Sequence, residues 1–452
     1  MPSAPSAVSD SGRPVPSSLW RDADFRRLWV GQTASQFGEQ ASLVVLPLFA
    51  VLTLHAGAGE LGVLRAVGQA PILLLSLFVG AWVDRWRTHT TMVLADIGRA
   101  LVLGAAAVAG LLGRLGLPGL FVLAFAVGAL SVFFDVAYQA SLVRLVERDQ
   151  LVRGNSALEG SRSAAQIGGP ALGGALVSLL SAPIAAASGA LLFALSFLSI
   201  RRIRRVESIQ KHLEHPPRVW RRIHEGLRFV AGDTSLRTVC LASAAFQFFF
   251  AAVMTVYLLF LPRELHLSGT VVGLTLAATG PGALLGSVLA ARLPSRFGHG
   301  AVLVGAAALG DSVFLWVPTL SDSSVVTVAV LLAVGFVFGL GGQLVNVTVM
   351  AVRQAVTPDG MQGRAAATIT FVGMGLTPLG SLLGGFLAEE WGLRPSLLVT
   401  AGGMMLSPVV MAFSPLARLG QELPALHDAP PAAAHSQARG TTLRATGEAG
   451  AK

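Results

Sequence analysis

The hydrophobic positions of this chain are grouped into long runs that are separated by shorter polar segments. A helix needs about 20 apolar residues to cross a bilayer core about 30 Å thick, because each residue rises about 1.5 Å. The pattern therefore predicts an all-α integral membrane protein with twelve transmembrane helices. The predicted spans are 29–54, 61–83, 91–113, 119–142, 163–181, 183–200, 238–261, 270–291, 300–319, 324–349, 365–388 and 395–414.

The basic residues are divided unevenly between the segments that join these spans. If the N-terminus is cytoplasmic, the cytoplasmic segments hold 28 of the 33 Lys and Arg residues. The outer loops hold only Arg114, Arg263 and Arg394. Because positively charged loops stay on the cytoplasmic side during membrane insertion, this bias predicts that both termini are cytoplasmic.

The spans fall into two groups of six around a long basic segment. The predicted organisation is a disordered cytoplasmic tail at 1–24, a six-helix bundle at 25–200, a cytoplasmic linker at 201–237, a second six-helix bundle at 238–415 and a disordered tail at 416–452. Within the linker, Trp220, Ile223, Leu227 and Val230 share one face of a predicted amphipathic helix. A weak repeat between 144–174 and 353–385 favours two pseudo-symmetric bundles, an arrangement typical of secondary transporters.

Composition excludes several other classes of protein. The chain is 53% hydrophobic and 13% charged, which excludes a soluble globular domain. Its net charge of +9 follows the cytoplasmic loops, where it attracts anionic lipid headgroups, so we expect no nucleic-acid partner. Cys240 is the single cysteine, and the sequence holds no phosphate-binding loop or catalytic motif. We therefore expect no enzyme activity and no bound cofactor or metal.

Several short motifs resemble those of one transporter superfamily. They are FRRLW at 25–29, GAWVDR at 80–85, AD at 95–96 with RA at 99–100, FFDVAYQ at 133–139, NS at 155–156, EGLRFV at 225–230, TPD at 357–359 and GR at 363–364. The chain is similar to the major facilitator superfamily, and within it to the bacterial branch of siderophore, macrolide and multidrug exporters. The resemblance implies a monomeric transporter of the bacterial plasma membrane.

The resemblance also implies roles for two of the motifs. The segment from Gly80 to Arg85 resembles the superfamily's loop between helices 2 and 3, which implies that Asp84 takes part in gating the cytoplasmic side. A solvated loop acid without a role is the alternative for Asp84. A second string in the fifth span resembles the end of the antiporter signature and implies antiport. It consists of Gly169, Pro170, Gly173 and Gly174.

Acidic residues inside the spans are the candidates for coupling transport to protons. A charge at the centre of a bilayer costs about 2.5–3.5 kcal/mol or more unless it is paired or hydrated. Apolar surroundings also favour the protonated form of a carboxyl group. Glu39 and Asp311 each lie about 18 Å from the cytoplasmic side, near the midplane. We expect reversible protonation at Glu39 first and Asp311 second, with a structural role as the alternative for each.

A second group of charges is predicted nearer to the cytoplasmic ends of the spans. Asp96 and Arg99 are three residues apart, so they share a helix face and can neutralise one another. The predicted gating network, which would join spans 2, 3 and 4 as a clamp or a switch, comprises Asp84, Arg85, Arg87, Asp96, Arg99 and Asp135. Arg65, near the outer end of span 2, either reaches the outer headgroups or meets an anionic group of a substrate.

Polar and bulky apolar residues at mid-span are candidates for the wall of a substrate cavity. They are Gln36, Gln69, Gln166, Phe246, Gln247, Phe250, Gln343 and Asn346. The expected function is proton-coupled export, by antiport and alternating access, of small amphipathic compounds such as macrolides, other drugs or siderophores. The alternatives are a substrate-specific importer or symporter of the same superfamily and a non-transporting membrane sensor or scaffold.

Overall fold

The computed structural model describes residues 19–83, 87–145, 150–204, 219–358 and 361–421. These residues form helices joined by short turns, and no strand occurs among them. Several helices begin at a side chain that accepts a hydrogen bond from one of the free N–H groups of the first turn. Asp22 accepts such a bond from Asp24 at 2.8 Å, and Asp233 accepts one from Leu236 at 2.8 Å.

Long helices form the first half of the described chain. They are α1 (Ala23–Leu48), α2 (Ala58–Val83), α3 (Thr88–Leu111), α4 (Leu117–Leu145), α5 (Leu151–Leu179) and α6 (Ala182–Arg201). Helix α1 packs against α5 and α6, α2 packs against α4, and α3 packs against both α4 and α6. Pro71 and Pro170 lie inside α2 and α5, and both helices continue through them.

The second half contains more helix breaks than the first. Its helices are α7 (Val219–Gly232), α8 (Thr234–Arg263), α9 (Gly269–Ala277), α10 (Thr279–Ala290), α11 (Leu293–Phe297), α12 (His299–Ser312), α13 (Val325–Val356), α14 (Gln362–Gly375), α15 (Thr377–Trp391), α16 (Leu393–Met404) and α17 (Leu406–Ala412). Helices α10, α15 and α17 each carry a proline in the first turn, at Pro281, Pro378 and Pro408. Proline has no N–H for the preceding turn, so it suits the start of a helix and interrupts a continuous one.

Among the described residues, eleven helical segments are long and apolar enough to cross a membrane. They correspond to eleven of the twelve spans predicted from the sequence. The remaining prediction, 163–181, falls on α5, whose many glycine and serine residues give it a weaker apolar character. This helix packs against α1 on one side and α9 on another, so protein covers part of its surface.

The two halves of the chain repeat one another at a spacing of 211 residues. The turn before α2 contains His55 and the turn before α9 contains His266, with φ angles of 53° and 52°. In both turns, the N–H group after the histidine donates to the carbonyl oxygen six residues before it, at 2.9 and 3.1 Å. Residues other than glycine rarely adopt positive φ angles. The same unusual turn at equivalent positions therefore indicates that the two halves share a backbone conformation here.

Glycine residues bring helices of the two halves into backbone contact. Gly174 of α5 lies against Gly273 of α9, and Gly62 of α2 lies against Gly385 of α15. A Cβ atom on Gly174 would lie 2.8 Å from the Cα atom of Gly273, and one on Gly62 would lie 2.9 Å from that of Gly385. The two glycine crossings are equivalent under the 211-residue repeat, which relates 62 to 273 and 174 to 385.

Helix α7 and the last described residues extend the ordered part of the chain. Helix α7 lies in the predicted linker and packs on α14, with Glu225 3.0 Å from Arg364. Of the predicted apolar face, Val230 is buried and Leu227 is 44% exposed, and the side chains of Trp220 and Ile223 lie outside the described residues. The location of this face at the membrane surface stays a prediction. At the other end, Leu416 is buried in a short 3-10 helix, and ordered structure continues to residue 421, past the predicted boundary at 415.

Candidate functional site

A buried ion pair lies among the helices of the first half. The Arg99 guanidinium donates a hydrogen bond to Asp96 Oδ1 at 2.5 Å, and both side chains are fully buried. The two residues are one helical turn apart on α3, as their spacing predicts. Because an unpaired charge inside a membrane costs several kcal/mol, this pairing is what allows both groups to remain in the interior.

Hydroxyl groups from three neighbouring helices make further hydrogen bonds to the pair, whereas the Nε atom of Arg99 is buried without a hydrogen-bond partner among the described residues. Ser35 of α1 and Ser131 of α4 accept hydrogen bonds from Arg99 at 2.8 and 3.2 Å. Ser196 of α6 donates a hydrogen bond to Asp96 Oδ2 at 2.5 Å. The ion pair on α3 is thereby bonded to α1, α4 and α6, so it helps to hold these four helices together.

Two aromatic rings complete the surroundings of Arg99. The guanidinium carbon lies 4.4 Å from the ring centre of Phe134 and 4.3 Å from that of Phe193. A cation over an aromatic face is attracted by the ring quadrupole, and a planar guanidinium stacks there better than an ammonium group. The site is therefore shaped for arginine specifically.

Glu39 connects the ion pair to a cavity of about 170 Å³ that is lined by α1, α2 and α4. Its Oε2 atom lies 4.0 Å from Arg99, and its side chain is 24% exposed. Asp135, Arg65 and Gln69 line the same cavity, and Arg65 Nε is buried without a hydrogen-bond partner. Glu39 therefore faces a cavity on one side and a buried cation on the other.

The depth predicted for Arg99 in the charge network was wrong. Arg99 lies at the level of Glu39, because helix α3 begins before the predicted start of its span at 91. Arg87 is exposed at the start of α3, about 18 Å along the helix from Arg99. Among the described residues, the ion pair on α3 is bonded to α1, α4 and α6, and Asp135 of α4 lines the cavity beside Glu39. The contribution expected from span 2 stays a prediction. Asp84 and Arg85 lie outside the described residues.

A larger cavity of about 350 Å³ lies among α8, α12, α13, α14 and α17. Gln247, Asn346 and Phe246, all predicted to line a substrate cavity, contribute to its wall together with Arg353. Asp311 also lines it, is only 4% exposed, and has a buried Oδ2 atom without a hydrogen-bond partner. The two predicted proton-coupling acids therefore lie in separate cavities, one in each half of the chain.

The other predicted cavity residues occupy varied positions. Gln69 lines the smaller cavity and accepts a hydrogen bond from α15, whereas Gln36 is buried within the packing of α1. Gln166 is exposed, and Gln343 packs beside α10. Phe250 is stacked within an aromatic cluster of α8 and α13, at 5.3–5.4 Å between ring centres. Ligand binding by these residues stays a prediction.

The glycine string on α5 forms a close packing surface. Gly169 and Gly173 both lie against the backbone of α1 near Ala41, and Gly174 lies against α9. Pro170 is buried between them. The tight packing expected of this string is present, whereas the antiport role that its resemblance implies stays a prediction.

Sequence reasoning missed the serine and phenylalanine partners of the ion pair. A signal for two of them exists, because Ser35 precedes Glu39, and Ser131 precedes Asp135, by four residues and hence on the same helix face. Ser196 and Phe193 carry no such signal, since neither has an ionisable neighbour within α6.

Eleven candidate membrane spans with a neutralised ion pair between them define a multi-pass membrane protein. Residues 16–443 match the family described as a transmembrane secretion effector. The chain belongs to this family, and the resemblance to the major facilitator superfamily seen in the sequence is confirmed.

The relatives and a solved structure agree with this assignment. The multidrug efflux pump Tap of Mycobacterium tuberculosis is 28% identical over 384 residues, which cover 80% of this chain and 87% of Tap. The uncharacterized MFS-type transporter YfiS of Bacillus subtilis is 25% identical over 82% of this chain and 88% of YfiS. A bacterial homologue of the iron transporter ferroportin, in its inward-facing state, shares the fold with a TM-score of 0.71 at 18% identity, over 87% of this chain and 98% of the homologue.

Proposed function

We propose that the protein is a proton-coupled exporter, which exchanges protons for small amphipathic compounds by alternating access. The observation that carries this proposal is Glu39, an acid that lines a cavity and lies 4.0 Å from the buried Arg99. The names of the relatives, as multidrug efflux pumps, support drugs as the class of substrate. Macrolides, other drugs and siderophores are the candidate compounds.

Protonation of Glu39 changes the charge that surrounds Arg99. The ionised carboxylate attracts the guanidinium, whereas the protonated acid leaves Arg99 with Asp96 as its close anionic partner. Arg99 is bonded to serines of α1 and α4 and contacts a ring of α6, so a change in its partners acts on the packing of these helices. Proton binding and substrate binding would then favour different conformations, which is the requirement for coupling.

The proposed architecture has twelve spans in two six-helix bundles, with α5 as the fifth span. The 211-residue repeat and the two glycine crossings, α2 with α15 and α5 with α9, support this arrangement. The contacts of α5 with α1 and α9 support a span that protein shields from lipid, which suits its weaker apolar character. The bias of Lys and Arg supports cytoplasmic termini and an outer position for the glycine crossings.

Transport in inverted membrane vesicles tests the proposed function. A proton gradient, acidic inside, is expected to drive uptake of a fluorescent amphipathic dye or a radiolabelled macrolide into vesicles that contain the protein. An uncoupler should reduce this uptake to the level of vesicles without the protein. Uptake that resists the uncoupler would contradict proton coupling, and accumulation only in right-side-out vesicles would indicate an importer.

Replacing Gly174 with alanine is expected to open the outer side, because the new Cβ atom would lie 2.8 Å from the Cα atom of Gly273. The helices α5 and α9 must then separate. For the measurement, Ser42, which lines the cavity, is replaced with cysteine in a protein whose own cysteine is removed by Cys240→Ser. This new cysteine is then labelled from outside intact cells. We expect faster labelling by an impermeant maleimide in the Gly174→Ala variant.

The matched control for this experiment is Gly104→Ala on α3. A Cβ atom at that position meets nothing within 4 Å, so labelling should remain as in the parent protein. Equal labelling rates in the Gly174→Ala and Gly104→Ala variants would show that the crossing does not close the outer side.

A further inference from the structure

The carboxylate of Asp311 is buried in the wall of the larger cavity without a described partner for its Oδ2 atom. Its side chain is 4% exposed, so water satisfies little of its hydrogen-bonding capacity. A buried polar group that lacks a partner is costly, and a hydrogen-bond donor, a proton or a positively charged group lowers that cost, the last most strongly for an ionised carboxylate. The cavity beside Asp311 offers the space in which such a group can bind.

The chemistry of the cavity wall differs along its length. The residues of α13 that line it run from Gly342 to Arg353, eleven residues apart, which is about 16 Å along the helix. Gly341 packs on Gly310, so Asp311 lies near the Gly342 end. Among the described lining residues, Arg353 is the one basic side chain, and it lies at the opposite end, too far along the helix to pair with Asp311.

Other parts of the wall are suited to an apolar body with a few polar atoms. Phe246, Met374, Met411 and Ile369 provide apolar surface. The ring of Phe246 stacks at 5.4 Å on that of Phe250, which leaves it braced as a flat surface beside the cavity. An aromatic face attracts organic cations, and it does so more strongly where water is excluded.

We propose that the larger cavity binds amphipathic organic monocations, with the Asp311 carboxylate as the counter-ion and the ring of Phe246 against the apolar body. This assignment rests on the proposed export function and names the charge class of its substrate. It also gives the two acids different roles, since Glu39 responds to protons in the first half and Asp311 recognises the cation in the second half.

Equilibrium binding to the full-length protein in lipid nanodiscs tests this assignment. The probes are tetraphenylphosphonium, whose charge does not depend on pH, and triphenylphosphine oxide, a neutral compound of related shape. The Asp311→Asn variant is expected to bind tetraphenylphosphonium about tenfold more weakly, or worse, and to bind triphenylphosphine oxide within about twofold of wild type. The Asp311→Glu variant, which keeps the charge, should retain most of the affinity for the cation.

Asp233→Asn is the matched control, because it removes an aspartate charge at the start of α8, and asparagine caps helices about as well as aspartate. Three results would overturn the assignment: no binding of tetraphenylphosphonium to the wild type, unchanged binding to Asp311→Asn, or an equal loss of both compounds in that variant. An equal loss would indicate a structural role.

Transport in vesicles separates this inference from the proposed function. Proton-driven export of the neutral compound by Asp311→Asn, with loss of export of the cation, would support the assignment. Loss of proton-driven export of both compounds would make Asp311 a coupling acid and overturn it. A wild type that binds the cation through Asp311 but does not export it would contradict the proposed function alone.

Discussion

The Glu39→Gln variant is expected to lose proton-driven accumulation of substrate in inverted vesicles while it still exchanges substrate across the membrane at equilibrium. Glutamine keeps the shape and the hydrogen-bonding groups of a protonated glutamate, but it cannot release a proton. Residue 39, which lies 4.0 Å from Arg99, would then stay neutral throughout the transport cycle. Accumulation should fall to the level that the wild type shows with an uncoupler, whereas exchange of labelled for unlabelled substrate should continue.

Two further variants make the result specific to Glu39. Glu159→Gln is the same substitution at a site on α5 that is 64% exposed, and it should transport as the wild type does. Asp135→Asn removes the other acid of the smaller cavity. Full accumulation by Glu39→Gln together with a loss in Asp135→Asn would transfer the coupling role to Asp135.

Replacement of Arg99 with leucine is expected to destabilise the protein by about 3–5 kcal/mol, because it leaves the buried Asp96 carboxylate without a cation. The serines that contact the pair cannot replace a charge, and the contacts with the rings of Phe134 and Phe193 are lost as well. The measurement is the midpoint of thermal unfolding of the purified protein in detergent, compared with that of the wild type.

The chemistry of the Arg99 site predicts an order among further variants. Arg99→Lys keeps the charge but loses the planar stacking surface, so its midpoint should lie between those of the wild type and Arg99→Leu. Combining Arg99→Leu with Asp96→Leu removes both charges and should restore part of the lost stability. Arg162→Leu, at a site that is 54% exposed, should change stability by no more than about 0.5 kcal/mol. Equal midpoints for Arg99→Leu and Arg162→Leu would contradict a stabilising role for the pair.

Hydropathy predicted most of the spans but could not identify α5 with the same clarity. Long apolar runs are typical of helices that face lipid. Helix α5 instead contacts α1 and α9 through glycines, so its sequence is less apolar. The helix breaks also depend on more than the prolines themselves. Pro170 lies within a continuous α5, whereas Pro378 starts α15 after a break. Both prolines have glycines within a few residues, so local sequence does not distinguish these two cases.

The candidate site was predictable where its members are neighbours on one helix. The spacing of Asp96 and Arg99 predicts their pairing, but Ser196 is 100 residues from Asp96 in the chain, and its contact requires α3 to pack on α6. Depth was harder to predict, because the ends of α3 do not coincide with the ends of its apolar run. The burial of Asp311 could be expected from its position in a span, whereas the missing partner of its Oδ2 atom depends on tertiary packing.

The glycine crossings have a consequence for how the contact between the two halves of the chain responds to the surrounding solution. Both crossings are formed by backbone atoms of glycines, which carry no ionisable side chain. They pair Gly62 with Gly385 and Gly174 with Gly273. Contacts of this kind depend on dispersion and shape, so dissolved salt does not screen them as it screens exposed ion pairs. The strength of these contacts should therefore be nearly independent of ionic strength and acidity, and in the proposed orientation this applies to the medium outside the cell.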